Sequence, residues 1–284
     1  MIEFKPKIGI IGYGFVGQAL AYGFSTAELH IYDKYKEGFE SMKEVADQSE
    51  FIFICLPTPI KSDESGIDLS IINDTMTKLT KFTNGKQKFI ILKSTIIPGT
   101  TMGFIKKYPK SLFAFCPEFL TESNYMQDFV NADRTIIGAT NDEVSRRIVA
   151  LFSQQFPKTP IFQTDLTTAE MVKYMANCYL STKVIFANEM YEFCTRMGIK
   201  YEEVKKMVTA DHRIFDSHLD ITTERGFGKK CFPKDLLALK ALFKKSKVDT
   251  TLLDAVWKKN LKIRKVHDWE EIPFAVTKVQ KKSA

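Results

Sequence analysis

Three small sets of residues in this sequence have types and spacings that can do chemistry. The first is Gly12-Tyr13-Gly14-Phe15-Val16-Gly17, a G-x-G-x-x-G that follows an apolar run and opens an amphipathic one. A strand–turn–helix with that spacing aims backbone N–H groups and a helix dipole at a pyrophosphate. Asp33 falls 21 residues after Gly12, at the end of the next apolar run. A carboxylate there accepts from both ribose hydroxyls and repels a 2′-phosphate, so the pattern predicts NAD rather than NADP. The plainer reading, a turn that only tightens strand–helix packing, leaves the acid in register unexplained.

The second set surrounds Cys231, which lies between Gly226/Gly228 and Pro233 with Lys229, Lys230 and Lys234 beside it. Lysines and the start of a helix lower a thiol pKa, which marks Cys231 as a candidate nucleophile. A buried structural cysteine is the rival reading. It suits Cys55, Cys116, Cys178 and Cys194 better, because each sits in an apolar pattern. The third set is Lys173 and Asn177, spaced i, i+4 and therefore on one helix face. A solvated lysine and a neutral asparagine are the rival reading there; Met171, Tyr174 and Met175 around them predict partial burial.

These residues need elements to position them. Residues 7–11, 29–32, 51–56, 88–92, 112–116, 134–138 and 160–163 are short β-rich runs, several apolar on both faces. Amphipathic stretches near 15–24, 70–83, 99–107 and 142–155 separate them. That rhythm predicts an α/β fold with a doubly wound, mostly parallel Rossmann sheet. After Asp165 the pattern turns all-helical, with one long central helix over 167–197, free of Gly and Pro and ended by Gly198. Thr167 or Thr168 is placed to cap it, with Glu170 in its first turn. Shorter helices are expected at 201–209, 234–245 and 250–265. The domains are therefore 1–165, an NAD-binding Rossmann domain, and 166–284, a helical domain carrying the cysteine loop. Residues 278–284 read as a frayed tail.

Composition narrows the class. The chain has 284 residues, 44% hydrophobic and 26% charged, which excludes disordered, collagen-like and disulfide-scaffold proteins. The net charge of +7 is local: residues 229–265 hold twelve Lys/Arg against three Asp. Helical lysines on a solvated face explain that run, and no aromatic platform interleaves it, so nucleic acid is not an expected partner. The five cysteines are odd in number and without metal-ligand spacing, so no metal site is expected and the thiols read as reduced in a cytoplasmic protein. The uncharged stretch 8–27 follows Lys5 and Lys7 like a signal peptide. Five glycines interrupt it, however, and no A-x-A-like cleavage site follows. No apolar run reaches membrane-spanning length, so no membrane association is expected.

Several later segments resemble one family. CLPTP (55–59), KSTIIPGTT (93–101), PEFLTESNYMQDF (117–129), RTIIG (134–138), AEMVKYMANCYLSTKVIFANE (169–189) and GFGKKCFPKD (226–235) resemble, in order, motifs of the UDP-glucose/GDP-mannose dehydrogenases. The resemblance implies a two-step, NAD-dependent oxidation of a nucleotide-sugar C6 alcohol to the carboxylate. A second hydride can leave only from a tetrahedral adduct, which a cysteine thiolate supplies as a thiohemiacetal whose oxidation leaves a thioester. By resemblance, Cys231 is that nucleophile, and Lys173 and Asn177 stabilise and hold the oxyanion. Glu118 activates water for thioester hydrolysis, Asp235 orients that water or Lys173, and Thr95 positions the same water. Thr58, Thr95 and Glu122 would contact the cofactor. Phe119, Leu120, Lys173, Asn177, Arg213 and Gly228 would contact the sugar nucleotide.

Three departures accompany the resemblance. The family's cysteine loop usually reads P-G-x-G-F-G-G, where this chain has Thr223 to Lys229; the usual arginine after PEFL is Thr121; and the chain stops where the family continues into a third domain. A shortened form is therefore expected, in which a second protein supplies that surface or the site is open. The apolar residues on more than one face of the 167–197 helix predict burial all round and a homodimer through the helical domain. The alternative functions are a β-hydroxyacid-type dehydrogenase, which needs no cysteine, and a non-catalytic NAD-binding module.

Overall fold

A computed structural model describes residues 5–278; the tail expected over 278–284 lies, apart from Lys278, outside the described residues. Along the chain run β1 (Lys7–Ile11), α1 (Phe15–Gly23), β2 (Glu28–Tyr32), α2 (Met42–Gln48), β3 (Phe51–Ile54), β4 (Ile60–Lys61), α3 (Ser70–Thr83), β5 (Phe89–Leu92), α4 (Thr100–Lys107) and β6 (Leu112–Phe115). Then follow α5 (Tyr125–Val130), β7 (Thr135–Ala139), α6 (Asp142–Gln155), β8 (Ile161–Thr164), α7 (Leu166–Met197), α8 (Tyr201–Val208), α9 (Cys231–Lys245), α10 (Thr251–Ile263) and β9 (Val276–Thr277). Two compact units result: Met1–Thr58 with Leu69–Lys173, and Pro59–Asp68 with Tyr174–Ala284.

The first unit is built on a seven-stranded sheet in the order β2-β1-β3-β5-β6-β7-β8, parallel except for the antiparallel β6–β7 pair. Alternation decides which side chain faces which way. Phe51 and Phe53 of β3, with Phe89 and Ile91 of β5, enter one core under α1, α5 and α6. Ile52, Ile54, Ile90 and Leu92 enter the other, under α2, α3 and α4. Both faces are covered, which is why these strands carry no polar residue. β1 pairs with both β2 and β3, so the connections diverge to either side of it. A crevice outside the strand ends at such a switch point is where sheets of this kind bind ligands.

The expected Rossmann strands and the four amphipathic helices form within a few residues of their predicted limits. Two short helices escape the pattern. α2 is too short for a visible period, although a capping box starts it: Glu44 N donates to Ser41 Oγ and Ser41 N to Glu44 Oε2. α5 has only six residues. The start of α7 also differs from expectation. Asp165 caps it, accepting from Thr168 N (3.0 Å) and from the Thr168 hydroxyl. Glu170 is instead fully buried and accepts from Gly99 N and from the N–H and hydroxyl of Thr101.

In the second unit α9 packs on α10, and Ala187, Cys194, Tyr201 and Leu219 form a small core where Tyr201 Oη donates to Leu219 O. The excursion 59–68 belongs here: β4 pairs in parallel with β9, and Glu64 accepts from Trp257 Nε1 and Lys240 Nζ. α7 is not buried all round. Met175, Tyr179, Phe186, Met190, Phe193 and Met197 are exposed along it, while Tyr174, Cys178 and Ile185 share the buried face with Asn177, Ser181 and Asn188.

Candidate active site

The glycine turn follows β1 at the switch point. Gly12 has φ +96°, and a Cβ there would collide with the carbonyl of Cys55 just past β3; one on Gly17 would collide with the carbonyl of Gly12. Gly14 is different: its Cβ position opens onto free space at the start of α1, beside the half-buried Phe15 and Val16. Asp33 holds the turn from β2, accepting from Tyr13 N at 2.7 Å and Tyr35 N at 2.8 Å. Thr58 and Thr95 are buried together, and the Thr58 hydroxyl donates to Thr95 O at 2.8 Å, so it is already engaged by backbone. Glu122 keeps one buried carboxylate oxygen without a hydrogen-bond partner among the described residues.

Glu118 sits past β6 in the same unit. Its carboxylate lies 3.1 Å from Lys173 Nζ and accepts from Leu120 N at 2.8 Å, while its carbonyl accepts from Lys173 Nζ at 2.7 Å. Both side chains are buried. The Phe119 ring carries two cations, Arg134 at 4.4 Å and Lys173 at 5.4 Å. Lys93, also buried, donates to Pro117 O at 3.2 Å. Consecutive carbonyls, Pro117 and Glu118, are thus each held by a buried ammonium. A cavity of about 270 Å³ is lined by Lys93, Glu118, Phe119, Leu120 and Arg134 among others. Spacing alone points to neither Lys93 nor Arg134.

The other cluster is in the helical unit. Asp235 is fully buried on α9, accepts from Asn177 Nδ2 at 2.5 Å and is ion-paired with Lys234. Asp235 therefore holds Asn177 and Lys234. Cys231 is one turn before it on the same face. The helix begins at Cys231 rather than at 234, so the thiol belongs to the first turn, where orphan N–H groups and the dipole favour negative charge. Cys231 is half-buried. Cys116, Cys178 and Cys194 are buried; burial pushes the Cys116 and Cys178 thiols up and that of Cys55 to about 12. Arg213 is exposed, with its guanidinium occupied by Asp211. Among the described residues no cluster of His, Cys, Asp or Glu is arranged to hold a metal ion, and no helix is long and apolar enough to cross a membrane.

Residues 34–156 match the NAD binding domain of the UDP-glucose/GDP-mannose dehydrogenase family, and residues 167–262 match its central domain. The chain belongs to the UDP-glucose/GDP-mannose dehydrogenase family. Among its relatives, UDP-glucose 6-dehydrogenase of Rickettsia felis is 38% identical over 220 residues, covering 75% of this chain and 48% of that protein. UDP-glucose 6-dehydrogenase YwqF of Bacillus subtilis is 31% identical, over 89% of this chain and 66% of its own length. The chain thus spans about half the length of the first relative. A UDP-glucose dehydrogenase structure from Pyrobaculum islandicum superposes with a TM-score of 0.82 at 24% identity, covering 92% of this chain and 69% of that one, which shows the shared fold.

NAD is the cofactor of this dehydrogenase family's matched domain, and the residues present fit it. The open position over Gly14 admits a pyrophosphate against the N-terminus of α1. Asp33 follows β2 beside that turn, and one carboxylate oxygen of Glu122 has no hydrogen-bond partner among the described residues.

Proposed function

We propose that this chain oxidises the C6 alcohol of a nucleotide sugar to the uronate in two NAD-dependent steps through a Cys231 thioester. The observation that carries the reading is the placement of Cys231. It is the half-buried thiol in the first turn of α9, one turn from the buried Asp235–Asn177 pair, whereas Cys116, Cys178 and Cys194 are enclosed.

NAD supplies the hydride acceptor in both oxidations. In the first, the C6 hydroxyl gives its proton to water as its hydride leaves, and the Lys173 ammonium offsets the developing alkoxide charge. Cys231 then adds to the aldehyde carbon, and the hydroxyl proton of that adduct leaves with the second hydride to give the thioester. Water, deprotonated by Glu118, attacks the thioester carbon, and the C–S bond breaks to release acid and thiol. Asn177, held by Asp235, keeps the oxyanion in place without reorganising. Phe119 and Leu120 line the sugar, and Thr95 with Glu118 positions the water.

Six exposed apolar side chains on α7 at 175, 179, 186, 190, 193 and 197 form one helical stripe. That spacing supports a homodimer through the helical unit, in which a second copy covers the stripe. A monomeric mass by light scattering, unchanged by Phe186→Glu, would exclude it.

The deciding assay follows NADH formed per UDP- or GDP-sugar consumed, with parent chain and Cys231→Ser. Two NADH per sugar, lost in the serine variant, is the expected result. Full conversion to acid by Cys231→Ser would reject the thioester. One NADH would favour a hydroxyacid-type reaction, and NAD binding with no turnover a module without catalysis.

A further inference from the structure

The turn that delivers Cys231 is built from conformations that two of its residues disfavour. Arg225, Gly226 and Lys229 all have left-handed backbones, with φ of +57°, +53° and +58°. For a non-glycine residue that geometry costs about tenfold in population. Buried Asn260 holds the middle of the turn, accepting from Phe227 N at 2.8 Å and donating to Phe227 O at 3.0 Å. Asn188 holds its start, accepting from Arg225 Nε at 2.6 Å and Gly226 N at 3.3 Å.

The end of the turn, nearest the thiol, is held by residues past α10. The Asp268 carboxylate accepts the Lys229 N–H, 3.2 Å to each oxygen, and pairs with Arg264 at 3.1 Å. Arg264 has a side chain only 8% exposed and donates to Arg225 O at 3.0 Å, so one ion pair ties both strained residues together. The pair lies directly on Gly228, where a Cβ would collide with the guanidinium and with the carboxylate. Trp269, buried against Trp257 with ring centroids 5.4 Å apart, anchors the segment. Both charged residues lie beyond residue 262, where the match to the central domain ends.

We propose that Arg264 and Asp268 are positioning residues for the Cys231 thiol. Their ion pair offsets the strain at Lys229 and sets the backbone from which the first turn of α9 starts. The catalytic consequence rests on Cys231 being the nucleophile; the positioning itself is measurable without turnover.

The test uses the full chain and peptide mass spectrometry. It follows amide hydrogen exchange of residues 226–231, and iodoacetamide labelling of Cys231 against pH, in the parent, Asp268→Ala, Arg264→Met, Lys229→Gly and the Lys229→Gly/Asp268→Ala double variant. Asp268→Ala should speed exchange of the turn amides about tenfold and shift the pH profile of Cys231 labelling. With Lys229→Gly already present, the same change should accelerate exchange much less, because the strain it offsets is gone. An unchanged labelling profile in Asp268→Ala, or equal effects with and without Lys229, overturns the proposal. Should the alanine variant not fold, Asp268→Asn, which keeps an acceptor for the Lys229 N–H but removes the charge facing Arg264, is read by the same criteria. A Cys231→Ser enzyme that still forms acid while these shifts persist would remove the nucleophile reading and leave the positioning intact.

Discussion

Lys173 Nζ lies 3.1 Å from the carboxylate of Glu118 and 2.7 Å from the carbonyl of the same residue, joining the end of β6 to α7 across 55 positions of sequence. Both side chains are buried, so the two opposite charges compensate each other out of water. Lys173→Met or Glu118→Leu alone should cost about 3–5 kcal/mol, because each strands a buried charge. The double variant should cost far less than the sum of the two. Urea unfolding of the four proteins checks this; additive losses would show that the pair is not coupled.

The glycine turn separates steric need from helix propensity. Gly17→Ala should abolish NAD binding and destabilise the chain, since the new Cβ meets the Gly12 carbonyl. Gly103→Ala, at an exposed position of α4 with open space around it, should leave NAD binding intact and stabilise by about 0.5–1 kcal/mol. Calorimetric titration with NAD and thermal melts distinguish the two.

The residue that follows the C-cap of α9 is a lysine in a conformation suited to glycine. Lys247 is exposed with φ +58°, and its N–H donates to Lys244 O at 3.1 Å. Lys247→Gly should therefore gain about 1 kcal/mol, and Lys247→Val should lose stability. Denaturant midpoints measure both.

His218 sets a pH dependence. Burial, and then the charge of Lys183, holds its pKa below the usual 6.5. Its Nδ1 is buried without a hydrogen-bond partner among the described residues. The unfolded chain therefore takes the proton more readily. The stability that this neutral imidazole contributes is present above pH 6.5 and is lost as pH falls through its lowered folded value. His218→Asn, which tolerates φ +66°, should remove that slope from urea midpoints followed from neutral to mildly acidic pH.

Much of the fold is legible along the chain because its signals are local. β3 and β5 are apolar at every position, and β1 is so after Lys7, since both faces of the sheet are covered. The G-x-G-x-x-G is readable because Gly12 and Gly17 answer contacts within the same strand–turn–helix. The departures have non-local or very short causes. α2 and α5 span too few residues to show a period. Excursion 59–68 joins the helical unit because β4 pairs with β9 and Glu64 meets Lys240 and Trp257, all far along the chain. Among the candidate site residues, Thr58 and Arg213 are occupied by partners that no spacing rule names.

The covered parallel sheet, the glycine turn with its acid, the helical second half and the residue types available for the chemistry can all be read along the chain. These follow from periodicity, glycine sterics and charge, which act over a few residues. Which groups meet follows from the packed fold instead: Lys173 with Glu118, Asn177 with Asp235, and Asp268 with the strained backbone of Lys229. Each of those pairs is separated by tens of residues. It exists because a buried charge or an orphan N–H must find its partner wherever the packed chain brings one.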